Sequence, residues 1–304
     1  MYTKYKNKAL IALVAFMLFG SVVYLVTHIP SIPAKFRLMT DPYVRSENIS
    51  PSRAGLDTMN ASGSGIIQEA TFRRAIKRIP EDSKKHFYVI DLRENLECFW
   101  NGVPIRWYGY WRNPQTGKIE EKQFKEQHYK NNFVRIKWSI RRFKDNVSLE
   151  LLNQQQLETE QQLVEKLGLH YVAFNGIRHS VHQNQQIDKF VEFVKSTPID
   201  TWKHFHCGAG RGRTTIFLVL YDIVKNADKL PLKDIVERQY MLGGENVFND
   251  KPWINGTWTP KALKARKMLV QKFYDYVKDP NGYKRQPWSN WIKQHGVQLN
   301  ELNL

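Results

Sequence analysis

One cysteine heads the glycine-rich stretch HFHCGAGRGRTT (residues 204–215), and an arginine closes it, with five residues between Cys207 and Arg213. Glycines 208, 210 and 212 let the backbone turn tightly, so that successive amide N–H groups can converge on one anion. A helix beginning just after the turn would aim the positive end of its dipole at the same point. In that field the thiolate of Cys207 is favoured near neutral pH. The planar fork of Arg213 suits two oxygens of a tetrahedral phosphate. Thr214 can donate to the sulfur when the thiolate is the leaving group, and His206 orders the turn from behind. The expected catalytic set is therefore Cys207, Arg213 and Thr214, inside a substrate cradle of His206, Gly208, Ala209, Gly210, Arg211 and Gly212. A bare Cys-x5-Arg would fit a structural cysteine beside a glycine turn equally well. The weight comes from a strand before it and a helix after it.

Those elements are legible in the chain. WKHFHC reads as a strand entering the turn, and RTTIFLVLYDIVKN as the helix leaving it. HFYVIDLR (86–93) suits a buried strand whose polar tip, Asp91 and Arg93, meets a site. HYVAF is a further strand. QEATFRRAIKRI, residues 149–169, NQQIDKFVEFVKS and LKDIVERQYMLGG read as helices, the last stopped by paired glycines. Thr259 and Pro260 open another helix. PSRAGLDTMNASGSG (51–65) reads as turns, and residues 98–145 as a small β-rich insertion. Alternating strands and helices after residue 86 predict an α/β fold, a central sheet flanked by helices.

Together these motifs resemble the protein-tyrosine-phosphatase-like inositol polyphosphate phosphatases, or cysteine phytases, within the cysteine-dependent phosphatase superfamily. KFRLMT, GLDTMNASGSG, VIDLRENLECFWNGVPIRWYG, HFHCGAGRGRTT, IVERQYMLGG and GYKRQPWSNW carry the resemblance, across most of residues 35–293. It implies a protein-tyrosine-phosphatase-like sheet and hydrolysis of inositol polyphosphates such as phytate. Cys207 would form a phosphocysteine that water then hydrolyses, with Arg213 and the loop amides holding the transition-state oxygens. No metal or other cofactor is implied. By the same resemblance Lys261, Lys264 and Arg37 become substrate-binding candidates, each of which could equally be a solvated surface cation.

The pattern breaks in two places. The family's general acid, an Asp beside a His, falls on Arg178 and His179 within FNGIRHSVH, and no Asp or Glu occurs between Glu165 and Asp188. Three explanations compete: His179 or nearby His182 donates the proton; the proton comes from another loop or from a neighbouring phosphate of the substrate; or the chain binds phosphate and turns over slowly, since losing general-acid catalysis costs about 10²–10⁴-fold. The second break is Asn95, Leu96, Glu97 and Cys98 where the family has Glu, Ser, His and Gly. A reversible Cys98–Cys207 disulfide there competes with a simple half-buried Cys98.

The 304-residue chain carries a formal charge of +17 and is 42% hydrophobic, so it can bury a core and favours polyanionic partners. No nucleic-acid recognition motif accompanies the charge. The two cysteines exclude a disulfide scaffold and a CxxC metal site. Lys4, Lys6 and Lys8 precede an apolar run from Ala9 to Thr27, which reads as a signal anchor or signal peptide over 1–34. The expected order is that segment, a linker at 35–50, a phosphatase-like domain at 51–293 and a tail at 294–304, with the domain extracytoplasmic and tied to the membrane unless cleaved. A phosphate-binding pseudophosphatase and a phosphoprotein phosphatase remain as alternative functions, and the oligomeric state stays open.

Overall fold

A computed structural model describes residues 32–45, 50–93, 98–100, 102–107, 134–136, 146–147, 157–174, 184–249 and 259–296. Its strands are β1 (Arg37–Leu38), β2 (Ala61–Ser64), β3 (Phe87–Asp91), β4 (Cys98–Trp100), β5 (Val103–Trp107), β6 (Val134–Ile136), β7 (Asn146–Val147), β8 (Leu157–Thr159), β9 (His170–Ala173) and β10 (Trp202–His206). Its helices are α1 (Glu69–Ile76), α2 (Glu160–Lys166), α3 (Asn184–Ser196), α4 (Gly212–Asn226), α5 (Leu232–Met241), α6 (Pro260–Lys278) and α7 (Trp288–Gln294).

The central sheet has the order β1-β2-β10-β3-β9. Only β1 is antiparallel to its neighbour; β10 runs parallel to both β2 and β3, and β3 parallel to β9. The strand that delivers Cys207 is therefore the middle one. Period-two alternation along β10 turns Trp202 to one core and Phe205 and Cys207 to the other. The larger core gathers Ile187, Phe190 and Val191 of α3, most of α4, and the apolar faces of α5, α6 and α7. The smaller core lies across the sheet, where Phe72 and Ala75 of α1 and Leu163 and Val164 of α2 meet Phe87 and Val89.

Two stretches differ from the sequence reading. Residues 61–64, read among turn formers, are a fully buried strand. At Gly63 the smallness is a packing requirement: a Cβ there would stand 2.7 Å from Thr214 Cγ2 and 2.8 Å from Leu218 Cδ1, so glycine admits α4 this close. Leu157–Thr159, read as part of a helix, pairs with β4 in a second sheet of order β7-β6-β5-β4-β8. Helix begins only at Glu160, where a capping box joins Thr159 and Gln162. The second sheet thus reaches past residue 145 to the start of α2.

Among the described residues no helix is long and apolar enough to cross a membrane. The apolar run Ala9–Thr27 lies outside them.

Candidate active site

The end of β10, the turn 207–211 and the first residues of α4 form one continuous loop. Ser64–Gly65–Ile66, leaving β2, backs it. Cys207 N donates to Ser64 O at 3.4 Å and Ile66 N to Gly208 O at 3.3 Å. Gly210 sits at φ +70°, and a Cβ there would stand 2.4 Å from Gly65 N. Both its conformation and its surroundings therefore demand glycine.

Cys207 is buried and is a free thiol. Burial pushes the thiol up, but the Arg213 guanidinium, the Thr214 hydroxyl and the amides of Thr214 and Ala209 outweigh it and hold the thiol below its ordinary 9.0. The Thr214 hydroxyl lies 3.2 Å from Cys207 Sγ and 3.2 Å from Ser64 O. It has one proton for two acceptors, and an anionic sulfur is the better claimant. Arg213 Nη1 donates to Leu92 O at 3.0 Å, which fixes the guanidinium against the end of β3.

Behind the loop is a buried ionic cluster. Arg93 donates to Asp91 through Nε at 2.7 Å and Nη2 at 2.8 Å, and Nη2 also contacts Glu160 Oε2. Glu160 Oε1 stands 2.9 Å from His206 Nε2, and Tyr171 donates to Asp91 Oδ2 at 3.2 Å. Burial pushes the Asp91 carboxyl up, yet Arg93 and His206 hold it below the usual carboxylate range. Asp91, Glu160 and His206 lie close enough to share an ion. The Arg93 guanidinium supplies positive charge to both carboxylates.

Next to it, Trp202 Nε1 donates to Ser62 Oγ at 2.8 Å, leaving the Ser62 proton for His204 Nδ1, also at 2.8 Å. Ser64 Oγ donates to Gly65 O at 2.7 Å and so accepts from His204 Nε2 at 3.0 Å. Burial keeps His204 well below its ordinary 6.5, in agreement with this neutral Nε2–H tautomer. The relay stitches β2 to β10 just under the loop.

All the expected site residues but His179 lie among the described residues. Cys207, Gly208, Ala209, Gly210, Arg211, Gly212, Arg213 and Thr214 come together as one loop. His206 points across the sheet to Glu160 and is fully buried. Arg37, expected to meet substrate, is buried behind the loop instead. It donates through Nη1 to Gly210 O at 3.0 Å and Lys35 O at 3.1 Å, and through Nη2 to Thr215 Oγ1 at 3.2 Å. Burial lowers its pKa to about 10, against the pull of Cys207 and Glu245. Lys261 and Lys264 are exposed in the first turns of α6. His179, with Arg178 and His182, lies outside the described residues, as does the Cys98 side chain.

Sequence reasoning missed three participants: Glu160, Thr215 and Glu245. Thr215 Oγ1 donates to Arg211 O at 2.8 Å and accepts from Glu245 N at 3.0 Å, and the Glu245 carboxylate pairs with Arg211 Nε at 3.1 Å. No spacing rule links the two acids to Cys207, since separate elements bring them in.

This arrangement can bind a tetrahedral dianion over an activated sulfur. The family of protein-tyrosine-phosphatase-like phytases, described by inositol hexakisphosphate, matches residues 117–225. A protein-tyrosine-phosphatase-like myo-inositol phosphatase from Mitsuokella multacida, solved in complex with myo-inositol-(1,3,4,5)-tetrakisphosphate, superposes with a TM-score of 0.72 at 32% identity. The match covers 90% of this chain and 46% of that one, so this chain spans about half its length. A protein-tyrosine-phosphatase-like phytase from Bdellovibrio bacteriovorus gives a TM-score of 0.63 at 26% identity, over 88% of this chain and 92% of that one. The protein AvrBs1.1 of Xanthomonas campestris pv. campestris is 40% identical over 93 residues, 29% of this chain and 86% of that protein.

Proposed function

The chain belongs to the protein-tyrosine-phosphatase-like phytase family, a family of phosphoric monoester hydrolases, and from that premise we propose that it removes phosphate from inositol polyphosphates through a phosphocysteine. The observation that carries this reading is the Cys207 thiol, held low by Arg213 and Thr214 at the floor of a glycine-built loop.

In the first step the thiolate sulfur bonds to phosphorus while the bond to the inositol oxygen breaks. The leaving alkoxide takes a proton. In the second step water attacks phosphorus, the S–P bond breaks, and Thr214 donates to the departing thiolate. Arg213 and the loop amides neutralise the equatorial oxygens throughout. His179 is the proposed proton donor, since the sequence offers no carboxylate between Glu165 and Asp188. The N-terminal apolar run, as an anchor, would hold this domain outside the cytoplasm.

That missing carboxylate also favours a second reading, a phosphate-binding protein with little turnover. Phosphate release from inositol hexakisphosphate, followed over about pH 4–8, separates the two. The first reading predicts release that Cys207→Ser abolishes and His179→Ala lowers by about 10²-fold or more. Tight binding with no release above the Cys207→Ser level would establish the second.

A further inference from the structure

A carboxylate paired with an arginine of an anion cradle is an unexpected neighbour. Glu245 is nonetheless built there with care. Its amide is bound to Thr215 Oγ1, whose proton goes to Arg211 O and which also accepts from Arg37. Gly244 packs so closely that a Cβ would meet Gln239 O at 2.6 Å and Thr215 Cγ2 at 2.9 Å. On either side, Arg45 donates to Gly244 O at 3.0 Å, and buried Arg266 donates to the carbonyls of Asn246, Val247 and Asn249 at 3.0–3.2 Å. Fixed backbone on both flanks holds the carboxylate at the loop, 3.1 Å from Arg211 Nε. Arg211 belongs to the loop itself, yet its side chain remains about one-third exposed, as does that of Glu245.

We infer that Arg211 and Glu245 form a charge-reading pair at the rim, setting how strongly the site accepts a second phosphate beside the one seated over Cys207. The inference rests on the loop being a phosphate site and adds a substrate preference to it. A lone phosphate is held by the loop amides and Arg213. A polyphosphorylated ligand brings further negative charge to the rim, where Glu245 repels it and Arg211 attracts it. A second phosphate must therefore compete with Glu245 for Arg211. The pair grades ligands by local phosphate density, and the grading changes sign with the partner removed.

The test is equilibrium binding of two probes, inositol hexakisphosphate and inorganic phosphate, to the full chain carrying Cys207→Ser, which prevents turnover. Adding Glu245→Gln should raise the affinity ratio of hexakisphosphate to phosphate by about 2–5-fold, the scale of a partly exposed ion pair. Arg211→Gln should lower that ratio, by more than the first change raises it, because it leaves Glu245 unopposed. The double variant should fall between the two. A ratio unmoved by Glu245→Gln, or lowered by it, overturns the inference while leaving the phosphate site intact. Failure of both probes to bind the folded protein overturns the phosphate-site reading itself, and the inference with it.

Discussion

Burial alone would make Cys207 a poor nucleophile, because an apolar surround favours the neutral thiol. Its reactivity is made by neighbours: one guanidinium, one hydroxyl and two amides that together outweigh desolvation. The depressed group is an acid, so the thiolate should appear below pH 9.0 and be lost as pH falls through the lowered value. Alkylation by iodoacetamide, followed against pH, should show a midpoint below that of an ordinary thiol. Arg213→Met should move the midpoint upward, and Thr214→Val should move it upward by less. A midpoint unmoved by Arg213→Met would mean that the guanidinium does not activate the sulfur.

Whether a side chain can do this depends on the elements that deliver it. The loop is possible only because β2 comes in beneath it without side chains in the way. Gly210→Ala should cost about 3 kcal/mol or more, combining a strained φ with a backbone collision, and should abolish phosphate binding; denaturant unfolding and a binding assay would check both. At the far end of β10, Lys203 is buried with its Nζ 5.3 Å from the Tyr221 ring centre, and burial lowers its pKa to about 8. The unfolded chain holds that proton up to about 10.5, so burial costs stability below pH 8 and the cost fades between pH 8 and 10.5. Lys203→Met should therefore stabilise the fold at pH 7 by about 3 kcal/mol, with the gain shrinking toward pH 10.5. A gain independent of pH would place its origin in packing.

These elements were unequally legible in the sequence. β3, β10, α3, α4 and α6 carry either an apolar period or clear punctuation, such as Thr259 and Pro260 before α6. β2 carries neither, because Gly63 is the space α4 needs and Ser62 and Ser64 are committed to His204. β8 was hidden by a run of Gln, Glu and Leu whose helical preference yields to pairing with β4. The nucleophile, its arginine and Thr214 could be read because they are contiguous. Glu160 and Glu245 could not, because only the folded sheet and the α5–α6 connection bring them to the loop.

For the whole molecule, a formal charge of +17 sets a field that favours polyanions from any direction. Inositol hexakisphosphate binding should weaken steeply as salt rises, and inorganic phosphate binding much less, because the ionic atmosphere screens the distant cations before those in the loop. Equal salt dependence for the two would confine the electrostatics to the cradle. At the sulfur itself the chemistry is more specific: phosphate passes through Cys207. The most direct measurement is acid quenching during turnover of inositol hexakisphosphate, then peptide mass analysis for covalently held phosphate. A phosphoryl group is expected on the peptide containing Cys207, absent from Cys207→Ser. Sustained phosphate release with no such adduct, or with one on another residue, would contradict it.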